Sequence, residues 1–139
     1  MLGYLYDDKH TKTAFEGDWS RSGDLGVIDN EGYITVAGGK KDMIKTDGEN
    51  VAGREVEEMV YRLAQASEVA VVGLPDPKWV AAVVAVIVVK VGETMDEATV
   101  MAHCTQYMSG FKCPKREIFT AILRKNPGGK LLQRELRER

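Results

Sequence analysis

The chain has 139 residues, 44% of them apolar and 29% charged, and 19 basic against 21 acidic side chains give a formal net charge of −2. This size and apolar content suit one modest domain, or one domain and part of another, and exclude a disordered chain. The near balance of charges gives no support to a nucleic-acid partner, so none is expected.

Targeting and metal signals are missing from the sequence. The N-terminal residues, MLGYLYDDKH, lack the basic start and the apolar core of a signal peptide. The longest apolar run, Val80 to Val89, is about half the length of a membrane-spanning helix, which predicts a buried strand and no integral membrane segment. Cys104 and Cys113 have neither the paired spacing nor the histidine partners of a zinc site. We expect no bound metal, and two reduced, buried thiols in a cytoplasmic protein.

The first third of the chain is irregular. Residues 1–22 mix charges, glycine and aromatics without a sustained period, which predicts an extended segment that needs another surface to pack on. Two β-prone runs, residues 25–29 and 33–37, flank the turn-forming Asn-Glu-Gly sequence at residues 30–32, so a hairpin is expected there. Asp24 would then be a carboxylate at the edge of a loop. Residues 38–51, GGKKDMIKTDGENV, are interpreted as a flexible joint and not as a packed element.

The part of the chain after the joint is regular. Apolar residues at 56, 59, 60 and 63 have helical spacing. Valine-rich strands are predicted at residues 68–74 and 82–89, the second of them buried on both sides. Thr94 and Glu97 match a capping box for a second helix, which presents Val100, Cys104, Tyr107 and Met108 on one side, and residues 117–123 are a candidate third strand. The expected fold class is therefore α+β, with a central, mainly antiparallel three-stranded sheet flanked by helices and preceded by a hairpin and a hinge.

A proline-glycine turn with a lysine lies near the C-terminus, in Asn126-Pro127-Gly128-Gly129-Lys130. Such a turn exposes its backbone and can bind phosphate. It is not a Walker A loop, because the first glycine is missing at the required spacing and Leu131 replaces the serine or threonine that binds magnesium. Taken alone, a simple surface turn explains it better. Likewise, the basic residues from 112 to 139 suit either an anionic ligand or a solvated helix face.

Four motifs in order identify a resemblance that covers nearly the whole chain. They are residues 19–24 (WSRSGD), residues 38–45 (GGKKDMIK), residues 47–50 (DGEN) and residues 126–130 (NPGGK). Together they resemble the C-terminal part of the adenylate-forming enzymes, the superfamily of acyl-CoA synthetases, peptide-synthetase adenylation domains and luciferases. The second motif corresponds to the hinge of that superfamily.

The resemblance implies residue roles in the first step, formation of an acyl-adenylate. Asp24 would accept hydrogen bonds from the ribose hydroxyls of ATP, as an ionised carboxylate can, although it could instead simply cap the hairpin. Lys130 would be the catalytic residue, bridging the acyl carboxylate and the α-phosphate as negative charge builds up. ATP or AMP with magnesium, and CoA, are the expected ligands of the full-length enzyme, and none is expected to be tightly bound by this fragment.

The resemblance also implies a rotation between the two steps. Lys41 matches the hinge position, and rotation about it would exchange a face that presents Lys130 for a face that presents the DGEN loop. In the second state Gly48 and its neighbour Glu49 would line the tunnel for pantetheine. Near the CoA nucleotide we expect Lys45 and the turn formed by Gly110, Phe111 and Lys112. Lys45 and Lys112 would equally be explained as ordinary solvated lysines.

Two positions depart from the superfamily pattern. Gly39 stands where arginine usually contacts the ribose, which puts nucleotide affinity in doubt. Asp47 occupies a position that is commonly glycine, and its carboxylate would lie where the phosphates of CoA approach. Neighbouring Lys40 is a poor substitute for the missing arginine, because an ammonium does not reproduce the planar guanidinium.

The predicted organisation follows from the resemblance. Residues 1–39 would be the C-terminal edge of a large N-terminal AMP-binding domain, and residues 40–139 a mobile lid. The expected function is the lid of an ATP-dependent acyl-CoA ligase of the fatty-acid type, which activates a carboxylic acid and transfers it to CoA. Without the large domain the fragment should be inactive. Two alternatives remain, namely the lid of a peptide-synthetase adenylation domain and a binding module that kept the fold and lost the chemistry.

Overall fold

The computed structural model describes residues 1–138. Its contacts divide the chain into two compact units, Met1–Lys41 and Asp42–Arg139. The first unit contains one helix and two small hairpins. Their bounds are α1, Asp8–Ala14; β1, Phe15–Glu16; β2, Trp19–Ser20; β3, Asp24–Ile28; and β4, Ile34–Gly39.

Helix α1 corrects the expectation of an extended N-terminal segment. Asp7 precedes the helix, and its carboxylate accepts the backbone N–H of His10 at 3.0 Å. A cap of this kind stabilises the first turn of a helix. No residue of α1 is buried, so this segment has no apolar period that would indicate a helix.

The hairpin predicted at residues 25–37 is confirmed, as strands β3 and β4 pair antiparallel. Asp29 shapes the connection, since its Oδ1 accepts the backbone N–H groups of both Glu31 and Tyr33 at 2.9 Å. Asp24 is the first residue of β3 and lies opposite Gly39. The expectation that Asp24 sits in a loop edge is therefore wrong by one residue, because the strand begins earlier than its apolar run.

The second unit is built around a three-stranded sheet. Strand β8 is central, antiparallel to β7 and parallel to β9, which confirms the predicted α+β class and its mainly antiparallel sheet. A short 3-10 turn, Lys40–Asp42, crosses the boundary between the units. The elements are β5, Met43–Thr46; β6, Glu49–Ala52; α2, Gly53–Tyr61; β7, Ala66–Asp76; β8, Val80–Val89; α3, Glu97–Tyr107; β9, Arg116–Phe119; and α4, Gln133–Arg137.

Both faces of this sheet are buried, which explains the continuous valine run of β8. One face, here called the helical face, is covered by α2, α3 and the β5–β6 hairpin. The other, here called the C-terminal face, is covered by residues that follow β9. Buried side chains of the helical face are Ile44, Val51, Val56, Val60, Val69, Val71, Val83, Ala85, Ile87, Val100 and Cys104. Those of the C-terminal face are Ala70, Val72, Ala82, Val84, Val86, Leu123 and Leu136.

The interpretation of residues 38–51 as an unpacked joint is wrong outside the short turn at residues 40–42, because Gly38 and Gly39 belong to β4 and residues 43–51 to a second hairpin. Strands β5 and β6 form a regular antiparallel hairpin, and Ile44 and Val51 are fully buried on the helical face. The two residues between the strands, Asp47 and Gly48, have positive φ angles of 49° and 81°. Asp-Gly between two strands is a strong signal for a tight hairpin turn. The expectation missed this turn because it interpreted every glycine in residues 38–51 as a mark of flexibility.

Helix α3 begins at Glu97, and its N-cap lies two residues after the predicted one. The N-cap is Asp96 and not Thr94, because the Asp96 carboxylate accepts the backbone N–H and the hydroxyl of Thr99. These hydrogen bonds hold the pKa of Asp96 below its usual value. The predicted apolar side is confirmed for Val100 and Cys104, whereas Tyr107 is exposed. Within residues 1–138, no helix combines the length and the apolar character that crossing a bilayer needs.

Two further expectations have a definite outcome. The third strand, predicted at residues 117–123, is confirmed but ends at Phe119, and the chain then turns so that Leu123 packs on the C-terminal face. Cys104 and Cys113 are free, buried thiols as predicted. Burial, with a smaller contribution from the neighbouring Cys113, raises the pKa of Cys104 to about 11, so this thiol stays protonated.

A buried carboxylate interrupts the otherwise apolar helical side of β9. Glu117 is 7% exposed, and its Oε1 has no hydrogen-bond partner among the described residues. Burial, and then the nearby carboxylate of Glu97, raise the pKa of Glu117 above its ordinary value. A carboxyl group whose pKa is raised by folding stabilises the fold only while it is protonated.

This carboxylate predicts a defined pH dependence of stability. The contribution of Glu117 is fully present below its ordinary pKa of 4.5 and is lost as pH rises through the raised folded value. Glu117→Gln should therefore be more stable than the wild type at pH 7 and nearly equal to it at pH 4. Urea unfolding at several pH values measures the difference. Burial raises the pKa of Glu57 as well. Glu57 is present in both proteins, so its effect cancels in the difference between their free energies of unfolding.

Glu93→Gln, on an exposed loop, is the matched control and should leave the stability curve unchanged. Parallel curves for Glu117→Gln and the wild type between pH 4 and pH 8 would contradict the burial argument.

Candidate functional site

The turn that carries Lys130 is rigid in its backbone. The Lys130 N–H donates to Oδ1 of Asn126 at 2.9 Å, and the Asn126 N–H donates to the Lys130 carbonyl at 2.8 Å. The Gly129 N–H also donates to the Asn126 carbonyl, at 2.9 Å. Gly129 has a φ of +81°, which a residue without a side chain adopts readily. The side chain of Lys130 is exposed at this turn, so a fixed backbone carries a lysine that is free to reach outward.

The Lys130 turn belongs to the C-terminal face of the sheet. Lys125 and Leu131 form an antiparallel bridge at the base of the turn. Leu123, before the turn, is buried among the apolar side chains of that face, and Leu131, after it, packs against the same cluster. Lys125 adds an ion pair to Glu68 on β7, with 2.8 Å between Nζ and Oε2. The turn is therefore anchored to the sheet on both sides of the lysine.

The Asp47-Gly48 turn belongs to the opposite face. It joins β5 and β6, whose Ile44 and Val51 pack in the helical face. The backbone N–H of Asp47 donates to the Trp79 carbonyl at 3.0 Å, which fixes the turn beside the connection between β7 and β8. A side chain at Gly48 would meet no atom within 4 Å, so its positive φ and not crowding within the chain favours glycine here. Lys130 and Gly48 are thus carried on opposite faces of one sheet.

An aromatic and basic cluster that the sequence analysis missed lies beside the Gly48 turn. The ammonium groups of Lys78 and Lys115 lie 4.7 Å and 5.1 Å from the centre of the Trp79 ring. Trp79, Lys115 and Arg116 also line a cavity of about 170 Å³, whose apolar wall is formed by Leu74, Ala82 and Val84 of the C-terminal face. An indole flanked by cations suits an aromatic ligand that carries negative charge. The adjacent Lys78-Trp79 pair was a signal for this, but Lys115 is distant in sequence and only the fold brings it close.

The turn at residues 110–112 lies on the helical face, where Phe111 packs against the core. Lys112 is not a freely solvated lysine, since its Nζ lies 2.6 Å and 2.9 Å from the two carboxylate oxygens of Glu55 on α2. The Gly110 carbonyl accepts a hydrogen bond from Nζ of Lys115 at 2.6 Å. The charge of Lys112 is therefore largely neutralised by Glu55.

The remaining predicted thioester-face residues lie on the β5–β6 hairpin. Lys45 is exposed on β5 and lies opposite Asn50, and Glu49 is exposed at the start of β6 opposite Thr46. Lys45, Gly48 and Glu49 are therefore carried on the same side of the sheet, the helical face, as the turn at residues 110–112. Lys130 does not lie on this face.

Asp24 and the hinge position lie in the first unit. Asp24 is exposed and is the cross-strand partner of Gly39, so an arginine at position 39 would stand beside the Asp24 carboxylate. Lys41 is exposed within the short 3-10 turn and is the last residue of the first unit.

A second buried carboxylate ties α2 to the sheet. Oε1 of Glu57 accepts the backbone N–H of Val71 at 2.8 Å. Burial raises the pKa of Glu57, and this hydrogen bond partly offsets the effect. Its role in the described structure is to hold α2 against β7.

Comparison with known proteins identifies a protein family and its members. Residues 55–130 match the family described as "AMP-binding enzyme C-terminal domain". A long-chain-fatty-acid–CoA ligase, FadD13 of Mycobacterium tuberculosis, is 41% identical over 92% of this chain and 25% of its own length. A butyrate–CoA ligase of Arabidopsis thaliana, AAE11, is 38% identical over 99% of this chain and 25% of its own length.

Solved structures agree with the sequence comparison. The crystal structure of ATP-bound MatB from Rhodopseudomonas palustris superposes with a TM-score of 0.92 at 36% identity, over 98% of this chain and 27% of that protein. The chain therefore spans about a quarter of the length of the relatives that it matches.

Proposed function

Because the chain belongs to the family of AMP-binding enzyme C-terminal domains, we propose that it is the mobile lid of an ATP-dependent acyl-CoA ligase of the fatty-acid type. One observation carries this proposal. A single sheet holds the Lys130 turn on one face and the Gly48 hairpin on the other. Rotation of this domain would present first one face and then the other to an active site, and so would serve two chemical steps that need different groups.

Lys130 serves the first step, in which a carboxylate oxygen attacks the α-phosphorus of ATP and pyrophosphate leaves. Negative charge increases at the phosphorus during the attack, and an ammonium group placed there stabilises it. The rigid backbone of residues 126–130, with an exposed lysine side chain, suits a group that must be inserted into an active site on another domain. Asp24 would bind the ribose of the same nucleotide.

The helical face serves the second step, in which the thiol of CoA attacks the acyl carbon and AMP leaves. Gly48 and Glu49 would line the pantetheine path, with the nucleotide of CoA lying toward Lys45 and the turn at residues 110–112.

Rotation about Lys41 would exchange the two faces. The contacts divide between Lys41 and Asp42, and the Lys41 side chain is exposed, which suits a residue whose backbone angles change. The domain boundary predicted from the sequence, between residues 39 and 40, lies two residues before this division and stays a prediction.

Residues 1–39 would be the edge of a large N-terminal domain of the same protein. Their β3–β4 hairpin exposes apolar side chains, including Val27 at 65%, Ile28 at 67% and Ile34 at 68%. Apolar groups exposed together in this way need a partner surface. That domain would bring the acid-binding pocket and the phosphate loop, so the fragment alone should not turn over substrate, and the whole enzyme would work in the cytoplasm.

ATP and CoA are the proposed small-molecule substrates, with a carboxylic acid as the third. Magnesium would accompany ATP on the large domain. Among residues 1–138, no cluster of three or more His, Cys, Asp or Glu side chains is arranged to hold a metal ion.

A graft tests the proposed lid directly. The chain replaces the corresponding quarter of the M. tuberculosis ligase FadD13, to which it is 41% identical, and acyl-adenylate and acyl-CoA formation are measured separately. Lys130→Ala should lower adenylate formation by at least about 100-fold, the order expected for loss of a group that stabilises transition-state charge. Conversion of supplied acyl-adenylate to acyl-CoA should be nearly unchanged.

Lys125→Ala is the matched control, because this lysine of the same turn pairs with Glu68 instead, and it should keep most activity in both steps. Equal losses in the two steps for Lys130→Ala would contradict the role of the lysine. An inactive wild-type graft that folds would count against the lid itself.

The Glu55–Lys112 ion pair predicts a change in CoA affinity. Glu55 competes with a phosphate group for the Lys112 ammonium, so Glu55→Gln should lower the KM for CoA in the graft by about threefold, the scale of a partly exposed ion pair. Lys112→Gln should raise it. Pantetheine has no phosphate, so its KM should not change in either variant.

Glu58→Gln breaks the Arg54–Glu58 pair on the same helix and should have no effect. If Glu55→Gln changes the KM values for CoA and pantetheine alike, the ion pair does not act through phosphate.

A further inference from the structure

The short helix α4 connects two regions that no motif links. Its Leu136 is 7% exposed and packs in the C-terminal face. The charged residues on either side of Leu136 form ion pairs with residues outside the helix. Glu135 pairs with Arg124, just before the Lys130 turn, and Arg137 pairs with Asp42, just after the hinge position. We propose that α4 is a strut that holds the Lys130 turn at a fixed position relative to Asp42, and that Arg137 is a positioning residue for Lys130. The catalytic consequence rests on the proposed function.

The turn end of the strut is held at Arg124. Oε2 of Glu135 lies 3.2 Å from Nη1 of Arg124, and the Leu132 N–H donates to the Arg124 carbonyl at 3.0 Å. Arg124 directly precedes Lys125, whose bridge to Leu131 closes the base of the Lys130 turn. A shift of α4 would therefore pull on the base of that turn.

The hinge end of the strut is held at Asp42. Nη2 of Arg137 donates to Oδ1 of Asp42 at 3.0 Å and to the side-chain carbonyl of Gln133 at 3.3 Å. The second contact lies within the helix and braces the guanidinium in the direction of Asp42. Asp42 directly follows Lys41, so the strut reaches the first residue of the second unit.

These contacts form one path from Asp42 through Arg137, Glu135 and Arg124 to the Lys130 turn. Burial of Leu136 prevents the helix from sliding along β7, and the two ion pairs set its ends. The groups are partly exposed, with 38% exposure for the Arg137 side chain and 47% for that of Asp42. Such pairs change equilibria by at most about fivefold, so the strut adjusts the position of Lys130 and does not create it.

Amide hydrogen exchange in the 139-residue chain tests the strut without any assumption about function. Arg137→Gln should speed exchange of the Gly129 and Lys130 amides by about threefold to fivefold. Arg134→Gln is the matched control, because it breaks the Arg134–Glu138 pair within the same exposed helix face, and it should leave both amides unchanged. The charge-reversed double variant Asp42→Arg with Arg137→Asp should restore slow exchange.

The graft gives the catalytic readout. Arg137→Gln should lower the kcat of adenylate formation about threefold, leave the KM for ATP unchanged and leave the thioester step unaffected. If the Gly129 and Lys130 amides exchange at the same rates in Arg137→Gln as in Arg134→Gln, the strut is overturned. Faster exchange with unchanged adenylate formation overturns the positioning role. If the wild-type graft is inactive, the proposed function fails, and the exchange comparison alone decides whether the strut exists.

Discussion

Burial of both faces of one three-stranded sheet is the constraint on which the second unit depends. The central part of strand β8, residues 82–87, is buried on both faces, so the elements outside the sheet must cover one side or the other. The β5–β6 hairpin, α2 and α3 take the helical face, and the chain after β9 takes the C-terminal face. The two candidate turns are separated because their flanking apolar residues, Ile44 and Val51 for one and Leu123 and Leu131 for the other, belong to different cores.

Rigidity and freedom are combined in the same way at both turns. Backbone hydrogen bonds fix the Lys130 turn, while the lysine side chain is left exposed. The Gly48 turn is fixed through the Asp47 bond to Trp79, while Gly48 itself is surrounded by open space. A lid needs this combination, since its reactive groups must enter a site on another domain without rearranging the core that carries them.

The fold class, the hairpin and the two-sided strand followed from sequence, because apolar periodicity and turn-forming residues record burial and backbone turns directly. The roles of the residues on the two candidate faces were implied only by the family resemblance and stay predictions. Local capping was harder, as Asp7 and Asp96 show, since any short acceptor near a helix start competes for that place. Partners distant in sequence were out of reach. Lys115 reaches Trp79, and Glu55 reaches Lys112, only after the sheet has brought their elements together.

The most direct measurement of the central claim is the half-reaction profile of Lys41→Pro in the FadD13 graft, with Lys41→Ala as the control that keeps the backbone free. Proline fixes φ at the position about which the faces are exchanged. In Lys41→Pro, adenylate formation should proceed near the control rate, while thioester formation should fall at least about tenfold. Rates in both half-reactions equal to those of Lys41→Ala would contradict a lid that presents opposite faces of its sheet in turn.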